Sequence, residues 1–451
     1  MFVSFILLLF SGFPVAYVLA GIGVTFAGIG YLTDIYFNTM TGLDYNTLGL
    51  VVNRIFKIMD NWILVALPMF IFMGIMLDKS GVAERLMVSM QELFGRVHGG
   101  LAVTVTVIGI ILAASTGIIG ASVVLLAVMS LPTMIKQGYS MPLALGTIAS
   151  AGTLGILIPP SIMLVIMADQ MAISVGDLFM GAVIPGLMLG GMYILYILIA
   201  SYFNPQGAPV PKGAKKLDCK IVARVLIDIL PTGSLIFVVL GSIFAGIATP
   251  TEASGVGALG ATCLALYNGK FSFKVLKEVS IGTYGTTAYI FAIFIGATCF
   301  ALVLRELGGD ELIESFLTGL PFGPYGIIAF ILVIIFLLGF FLDWIEITLI
   351  ILPLLAPVIS SLGLDIDGHG VVDNAELVWF LMLVAMALQT SFLTPPVGFA
   401  LFYLKGVCPP EVKLSDIYKG VIPFVLIQLA ALVILILWPQ LVIWLPAITY
   451  G

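Results

Sequence analysis

Two proline pairs sit in the middle of nearly uninterrupted apolar runs: Pro159-Pro160 in GTLGILIPPSIML (152–164) and Pro395-Pro396 in SFLTPPVGFAL (391–401). A proline inside a helix removes a backbone hydrogen bond and clashes with the preceding turn, at a cost of about 3 kcal/mol or more. In lipid, the freed carbonyl has no water to turn to. Such a break offers two chemistries. Unwound backbone presents carbonyl oxygens to a cation, and the helix that restarts presents N–H groups and a positive dipole end to an anion. Irregular backbone at membrane depth is tolerated only where it lines a cavity, so the two pairs predict one.

Other residues able to do chemistry are few. ASTGIIGAS (114–122) supplies the hydroxyls of Ser115, Thr116 and Ser122 among small residues that let helices approach closely. GFFLDWIE (339–346) places Asp343 within an apolar stretch, where a carboxylate marks a functional site by default. Glu346 lies one turn on, on the same face. Glu252, in TPTEAS, reads as a helix cap beside Thr249 and Thr251. DIDGHGVVDNAE (365–376) nearly fits a calcium loop, with Asp365, Asp367, Asp373 and Glu376 at ligand spacing, but His369 stands where an oxygen ligand belongs. No GxxxxGK[ST], HExxH, GxSxG or GxGD occurs, and the four cysteines have no metal-ligand spacing. Hydroxyls, carbonyls and a carboxylate suit a hard cation such as Na⁺. Few titratable groups lie within the apolar runs, which disfavours a proton relay.

The elements that must position these residues are membrane helices. Of 451 residues, 61% are hydrophobic and 9% charged, against about 25% charged in a soluble domain. Nucleic-acid binding is not expected. Apolar runs predict spans at about 1–13, 14–31, 62–78, 142–168, 178–202, 227–248, 251–268, 279–304, 377–406 and 420–446. The first is short for a full crossing. Two longer runs, about 99–140 and 322–365, fit re-entrant hairpins whose tips fall at ASTGIIGAS and GFFLDWIE. With the N-terminus outside, 15 of the 18 Lys and Arg residues face inward and only Arg54, Lys57 and Arg305 face outward. The positive-inside rule therefore predicts that both termini face outward.

The punctuation of the chain repeats. Pro14 aligns with Pro250, LDKSGVAERL (from 77) with LRELGGDELI (from 304), Pro132 with Pro353, and Pro160 with Pro396, at offsets of 221 to 236. The topology gives the halves opposite orientations, the signature of inverted repeats in secondary transporters. The predicted organisation is a first repeat over 1–203, a cytoplasmic linker over 204–220 and a second repeat over 221–451. The linker's lysines suit a solvated loop or contact with anionic lipid.

Together, ASTGIIGAS, GTLGILIPPSIML, GIATPTEAS and SFLTPPVGF resemble the large membrane subunit of TRAP transporters, the tripartite ATP-independent periplasmic systems of bacterial and archaeal cytoplasmic (inner) membranes. The resemblance implies an elevator mechanism, in which two hairpins and two broken helices move against a scaffold. It implies Na⁺ coupling and uptake of a small organic acid anion. It implies two partners, a small four-helix membrane subunit and a periplasmic substrate-binding protein. One departure is visible: the Leu-Pro to Pro-Pro interval is 28 residues in the first half and 43 in the second, the excess lying in the loop that contains DIDGHGVVDNAEL.

Carried onto this chain, the resemblance places sodium ligands at each hairpin tip and its broken helix. One set is Ser115, Thr116, Gly117, Gly152, Thr153 and Gly155; the other is Gly339, Asp343, Gln389, Thr390 and Ser391. Gly120, Ser122, Pro160, Ser161 and Pro396 are the substrate candidates, since hydroxyls and helix N-termini favour a carboxylate. Two alternatives remain: a stand-alone Na⁺/carboxylate symporter of the same architecture, and an intramembrane enzyme.

Overall fold

The computed structural model describes residues 1–116, 119–211, 218–368 and 370–450, all helix and connecting loop among the described residues. The first half runs through α1 (Phe2–Leu9), α2 (Val15–Phe37), α3 (Tyr45–Met59), α4 (Ala66–Lys79), α5 (Val82–Phe94), α6 (Gly100–Thr116), α7 (Ile119–Gln137), α8 (Met141–Thr153), α9 (Ile162–Gln170) and α10 (Val175–Phe203). The second half runs through α11 (Cys219–Phe244), α12 (Pro250–Tyr267), α13 (Phe273–Glu306), α14 (Gly309–Thr318), α15 (Pro324–Leu338), α16 (Trp344–Glu346), α17 (Leu352–Ser361), α18 (Ala375–Leu393), α19 (Phe399–Val407), α20 (Leu414–Leu437) and α21 (Gln440–Tyr450). Among the described residues, nine helical stretches are long and apolar enough to cross a membrane.

The run at 1–13 is not a span. Its helix α1 has 8 residues, a rise of about 12 Å, against a hydrocarbon core of about 30 Å. Gly12, at φ +81°, and Pro14 separate it from α2. The linker residues Lys212, Lys215 and Lys216 lie outside the described residues, as does His369.

Single prolines do not break helices here. Pro132, Pro185, Pro231 and Pro423 each sit inside a continuous helix. Each pair, by contrast, lies in an interruption. A short 3₁₀ turn, Leu154–Ile156, and residues 157–161 separate α8 from α9; residues 394–398 separate α18 from α19. Both Pro–Pro peptides are cis.

The centre of the molecule is α8 and α18. Nearly every residue of α18 is buried, as are all residues from Ala144 to Thr153 in α8. A helix apolar all round belongs inside rather than against lipid or water. Small residues let these helices approach their neighbours. Gly146 of α8 meets the backbone of Gly420 in α20 so closely that neither position has room for a Cβ. Around this body, α2 packs along α13 and α4 along α12. A Cβ on Gly23 of α2 would lie 2.7 Å from the Cys299 sulfur in α13, and one on Gly296 would strike the Ala16 backbone. Close approach through small residues is how membrane helices gain contact without a hydrophobic drive.

Three further helices, α3, α5 and α14, are amphipathic and precede α4, α6 and α15, respectively. The N-terminus of α3 is held by a capping box, in which the Asp44 carboxylate accepts from Thr47 N at 2.8 Å. At α12 the expected cap is present: Thr249 accepts from Glu252 N at 3.3 Å, and Glu252 accepts from Thr249 N at 2.8 Å. Capping satisfies backbone donors that the first turn leaves open.

Candidate functional site

The chain bends at GFFLDWIE, 339–346. Helix α15 ends at Gly339, and the chain restarts at Asp343, whose carboxylate accepts from Trp344 N at 2.8 Å and so caps α16. Gly339 fits because of what faces it: a Cβ there would lie 2.6 Å from the Ser391 hydroxyl of α18. Ser391 in turn donates to Phe336 O at 2.8 Å, tying α18 to the hairpin arm. Beyond α16, residues Ile347–Ile351 form a π-helical turn, a widening that occurs often at functional sites. Glu346, 1% exposed, has an unpartnered carboxylate oxygen just before this turn.

Asp343 opens onto a cavity of about 340 Å³. Its walls come from three places: Ile162 at the start of α9, Thr286 and Tyr289 of α13, and Tyr403 of α19. Tyr403 also connects the cavity to the first hairpin, because a Cβ on Gly120 of α7 would lie 3.0 Å from its ring. The start of α7, the second hairpin tip, and both helices that restart after a break thus converge around one carboxylate. Sequence reasoning named Asp343 and Gly120 but missed Tyr289 and Tyr403, since a tyrosine in an apolar helix carries no signal of what it faces.

The breaks themselves differ. Thr153 to Ser161 are all buried, whereas Pro396 and Val397 are exposed. Ser161 donates to Ile156 O at 2.9 Å and makes no side-chain cap on α9. Gly398, at φ +54°, precedes α19 and likewise leaves its first turn without a side-chain cap. Both restarted helices therefore begin with N–H groups that no side chain satisfies, the local condition for holding an anion. Pro160 is buried beside the first of them.

Between the breaks lies a buried polar chain. Gln389 of α18 donates from Nε2 to Thr153 Oγ1 of α8 at 3.3 Å, and Gln428 of α20 donates to the Tyr193 hydroxyl of α10 at 2.7 Å. Gln389 is 0% exposed and its Oε1 has no partner, nor do the hydroxyls of Thr147 and Ser150. Thr153 and Thr390 donate to carbonyls of their own helices, Ser150 O at 2.9 Å and Met386 O at 2.8 Å. The oxygens left open are the kind a hard cation takes. The isolated polar residues Tyr193 and Gln428 were not anticipated from the sequence.

Several expected residues fall elsewhere. The side chains of Ser115 and Thr116, and Gly117 entirely, lie outside the described residues. Gly152 and Gly155 are buried, the former against Val123 of α7. Ser122, 2% exposed, is buried in α7 and does not line the Asp343 cavity. Among the described residues no three His, Cys, Asp or Glu side chains, Asp365, Asp367, Asp373 and Glu376 included, are placed to hold a metal ion. Glu376 lies in the first turn of α18.

Residues 2–441 match the family model described as "Tripartite ATP-independent periplasmic transporter, DctM component". A Vibrio cholerae protein named C4-dicarboxylate TRAP transporter large permease protein DctM is 31% identical over 417 residues, covering 87% of each chain. A second from that organism, Sialic acid TRAP transporter large permease protein SiaM, is 27% identical over 450 residues, covering 98% of this chain and 97% of the relative. Among solved structures, the Alcanivorax borkumensis YdaH transporter superposes with a TM-score of 0.55 at 13% identity, over 85% of this chain and 89% of that one, a likeness of fold.

Proposed function

This chain belongs to the DctM component family of tripartite ATP-independent periplasmic transporters, and from that premise we propose that it imports a small organic acid anion coupled to Na⁺ influx, by moving a central body against a surrounding frame. It is a multi-pass inner-membrane transport component and not an enzyme, as the permease names of its relatives indicate. The observation that carries the reading is the convergence on Asp343: a membrane-embedded carboxylate at a hairpin tip, facing a cavity walled by the start of one restarted helix and by Tyr403 of the other.

A carboxylate in a low-dielectric cavity is costly unless a cation pairs with it. Sodium is the cation that carbonyl, amide, hydroxyl and carboxylate oxygens suit. Two sodium positions fit the layout. One lies at Gly339, Asp343 and Ser391, and the other at the first hairpin tip beside Gly152, Thr153 and Gly155. Gln389, with an open oxygen, stands between them. The uncapped starts of α9 and α19 suit the substrate's carboxylate.

The inverted-repeat reading is supported by element order. Helices α2 to α10 correspond to α12 to α20, with α13 standing for α3 and α4 joined and α16–α17 for α7. Moving parts would be α6–α9 and α15–α19, and the frame α2–α5 with α11–α14. Both termini outside and the linker inside remain the orientation favoured by the basic residues.

The tripartite description implies a small membrane subunit and a periplasmic binding protein as partners. The relatives' names suggest a C4-dicarboxylate or a sugar acid as substrate. Proteoliposome uptake is the test: it should require all three components and an inward Na⁺ gradient. Uptake of free substrate by this chain alone would favour a stand-alone symporter.

A further inference from the structure

The topology puts only Arg54, Lys57 and Arg305 outside, and all three line one cavity of about 470 Å³. That cavity lies between α3, α13 and α17, at the end of α9 opposite the Asp343 cavity. Arg305 is engaged by Asp310 at 3.2 Å. Among the described residues, Arg54 and Lys57 have no ion-pair or hydrogen-bond partner. Burial, then the like charge of Arg305, lowers the Arg54 pKa, and Glu306 opposes this. The group stays charged at neutral pH. Asp169, the acidic residue of the cavity wall, is occupied by neutral amides: Asn61 Nδ2 donates to it at 2.6 Å and Gln170 Nε2 at 2.9 Å.

Two helices run from one cavity to the other. On α9, Ile162 lines the Asp343 cavity and Asp169 the cationic one, seven residues apart, or about 10 Å. On α13, Ile290 lines the first and Phe294 the second, four residues apart, or about 6 Å. The barrier between them is apolar and thin, and the Asn61–Asp169 bond ties the frame to the body across it.

We propose that the Arg54–Lys57–Arg305 cavity is an outer receiving site for the anion, occupied before the substrate reaches the Asp343 cavity. A concave wall of net positive charge with apolar sides concentrates anions and speeds their capture. The ligand class is a small carboxylate, held by Arg54 and Lys57 over the apolar floor of Phe294, Leu349 and Leu354. The inference rests on the transporter reading and on the outward orientation of this end.

The test places a cysteine at Ala301, which lines the cavity, in cells making the complete transporter. Sulfonatoethyl and trimethylammonioethyl methanethiosulfonate, both membrane-impermeant, are applied from outside, and labelling of that position is read by mass spectrometry. The sulfonate probe should react faster, and the ratio of the two rates should fall about tenfold in the Arg54→Gln/Lys57→Gln background. Arg54→Lys should keep most of the ratio. In uptake, the double variant should raise the apparent KM several-fold with kcat retained, for whichever of a C4-dicarboxylate or a sialic acid the wild type carries. An unchanged probe ratio, no labelling by either probe, or an unaltered KM overturns the proposal. If the wild type carries neither anion, the transport reading fails while the probe ratio still decides whether this cavity attracts anions.

Discussion

Thr153 of α8 and Gln389 of α18 share a hydrogen bond of 3.3 Å and stand 236 positions apart. Pro160 and Pro396 stand at the same offset. The two side chains that touch are thus separated by the same interval as the second prolines of the two pairs. The contact joins the two broken helices where neither side chain has any exposure.

Cutting that contact should loosen the pairing of the broken helices. Thr153→Ala and Gln389→Leu should each lower stability by about 1–2 kcal/mol, because each leaves a buried polar partner behind. The double variant should cost less than their sum, by about 0.5–1 kcal/mol, as coupled pairs in membranes do. Thermal unfolding in nanodiscs measures this, and strict additivity would show that the pair is not coupled.

Gly339 has no room for a methyl group. With its Cβ 2.6 Å from Ser391 Oγ, Gly339→Ala must push the hairpin tip away from α18 or break the bond from Ser391 to Phe336 O. Uptake should fall at least tenfold with expression retained, and Ser391→Ala in the same chain should restore part of it by making space. Absence of rescue would mean that the tip is displaced by something other than this contact.

The cap on α3 gives a pH dependence outside the membrane spans. The Asp44 pKa is lowered, first by the hydrogen bond from Thr47 N. A group whose folded-state pKa is depressed contributes stability above its unfolded value, about 3.9, and loses it as pH falls through the folded value. Amide protection in α3 should hold from pH 7 to about 5 and decline below about 4. Asp44→Ala should weaken protection at neutral pH, and the difference from wild type should shrink as pH falls below about 4. Hydrogen exchange by mass spectrometry reads both, and the result bears on Arg54 and Lys57, which α3 carries.

Calcium should have no effect on the loop at 365–376. Among the described residues no three His, Cys, Asp or Glu side chains are placed to hold a metal ion, so calorimetry at millimolar Ca²⁺ should show no saturable heat.

What the sequence made legible was whatever breaks an apolar pattern. The proline pairs, the glycine at 339 and the carboxylate at 343 interrupt long hydrophobic runs, so both interruptions and the bend after α15 could be located to within a few residues. The amphipathic helices α3, α5 and α14 did not stand out, because a reading tuned to runs of about 20 apolar residues passes over short helices with one polar face. In α3 the signal was present as Asp44 followed three residues later by Thr47. Tyr193, Gln428, Tyr289 and Tyr403 were hidden for another reason. Each is a lone polar group in an apolar helix, and only packing decides whether it meets a partner, a cavity or lipid.

The measurement that bears most directly on the account is a Na⁺ titration of uptake by the reconstituted three-component system, comparing wild type with Asp343→Asn. The variant keeps the shape at the hairpin tip and removes the charge. The account predicts that wild-type uptake follows the inward Na⁺ gradient, and that Asp343→Asn raises the Na⁺ needed for half-maximal uptake about tenfold or more, or abolishes uptake, with normal expression. Identical Na⁺ curves for the two proteins would contradict it.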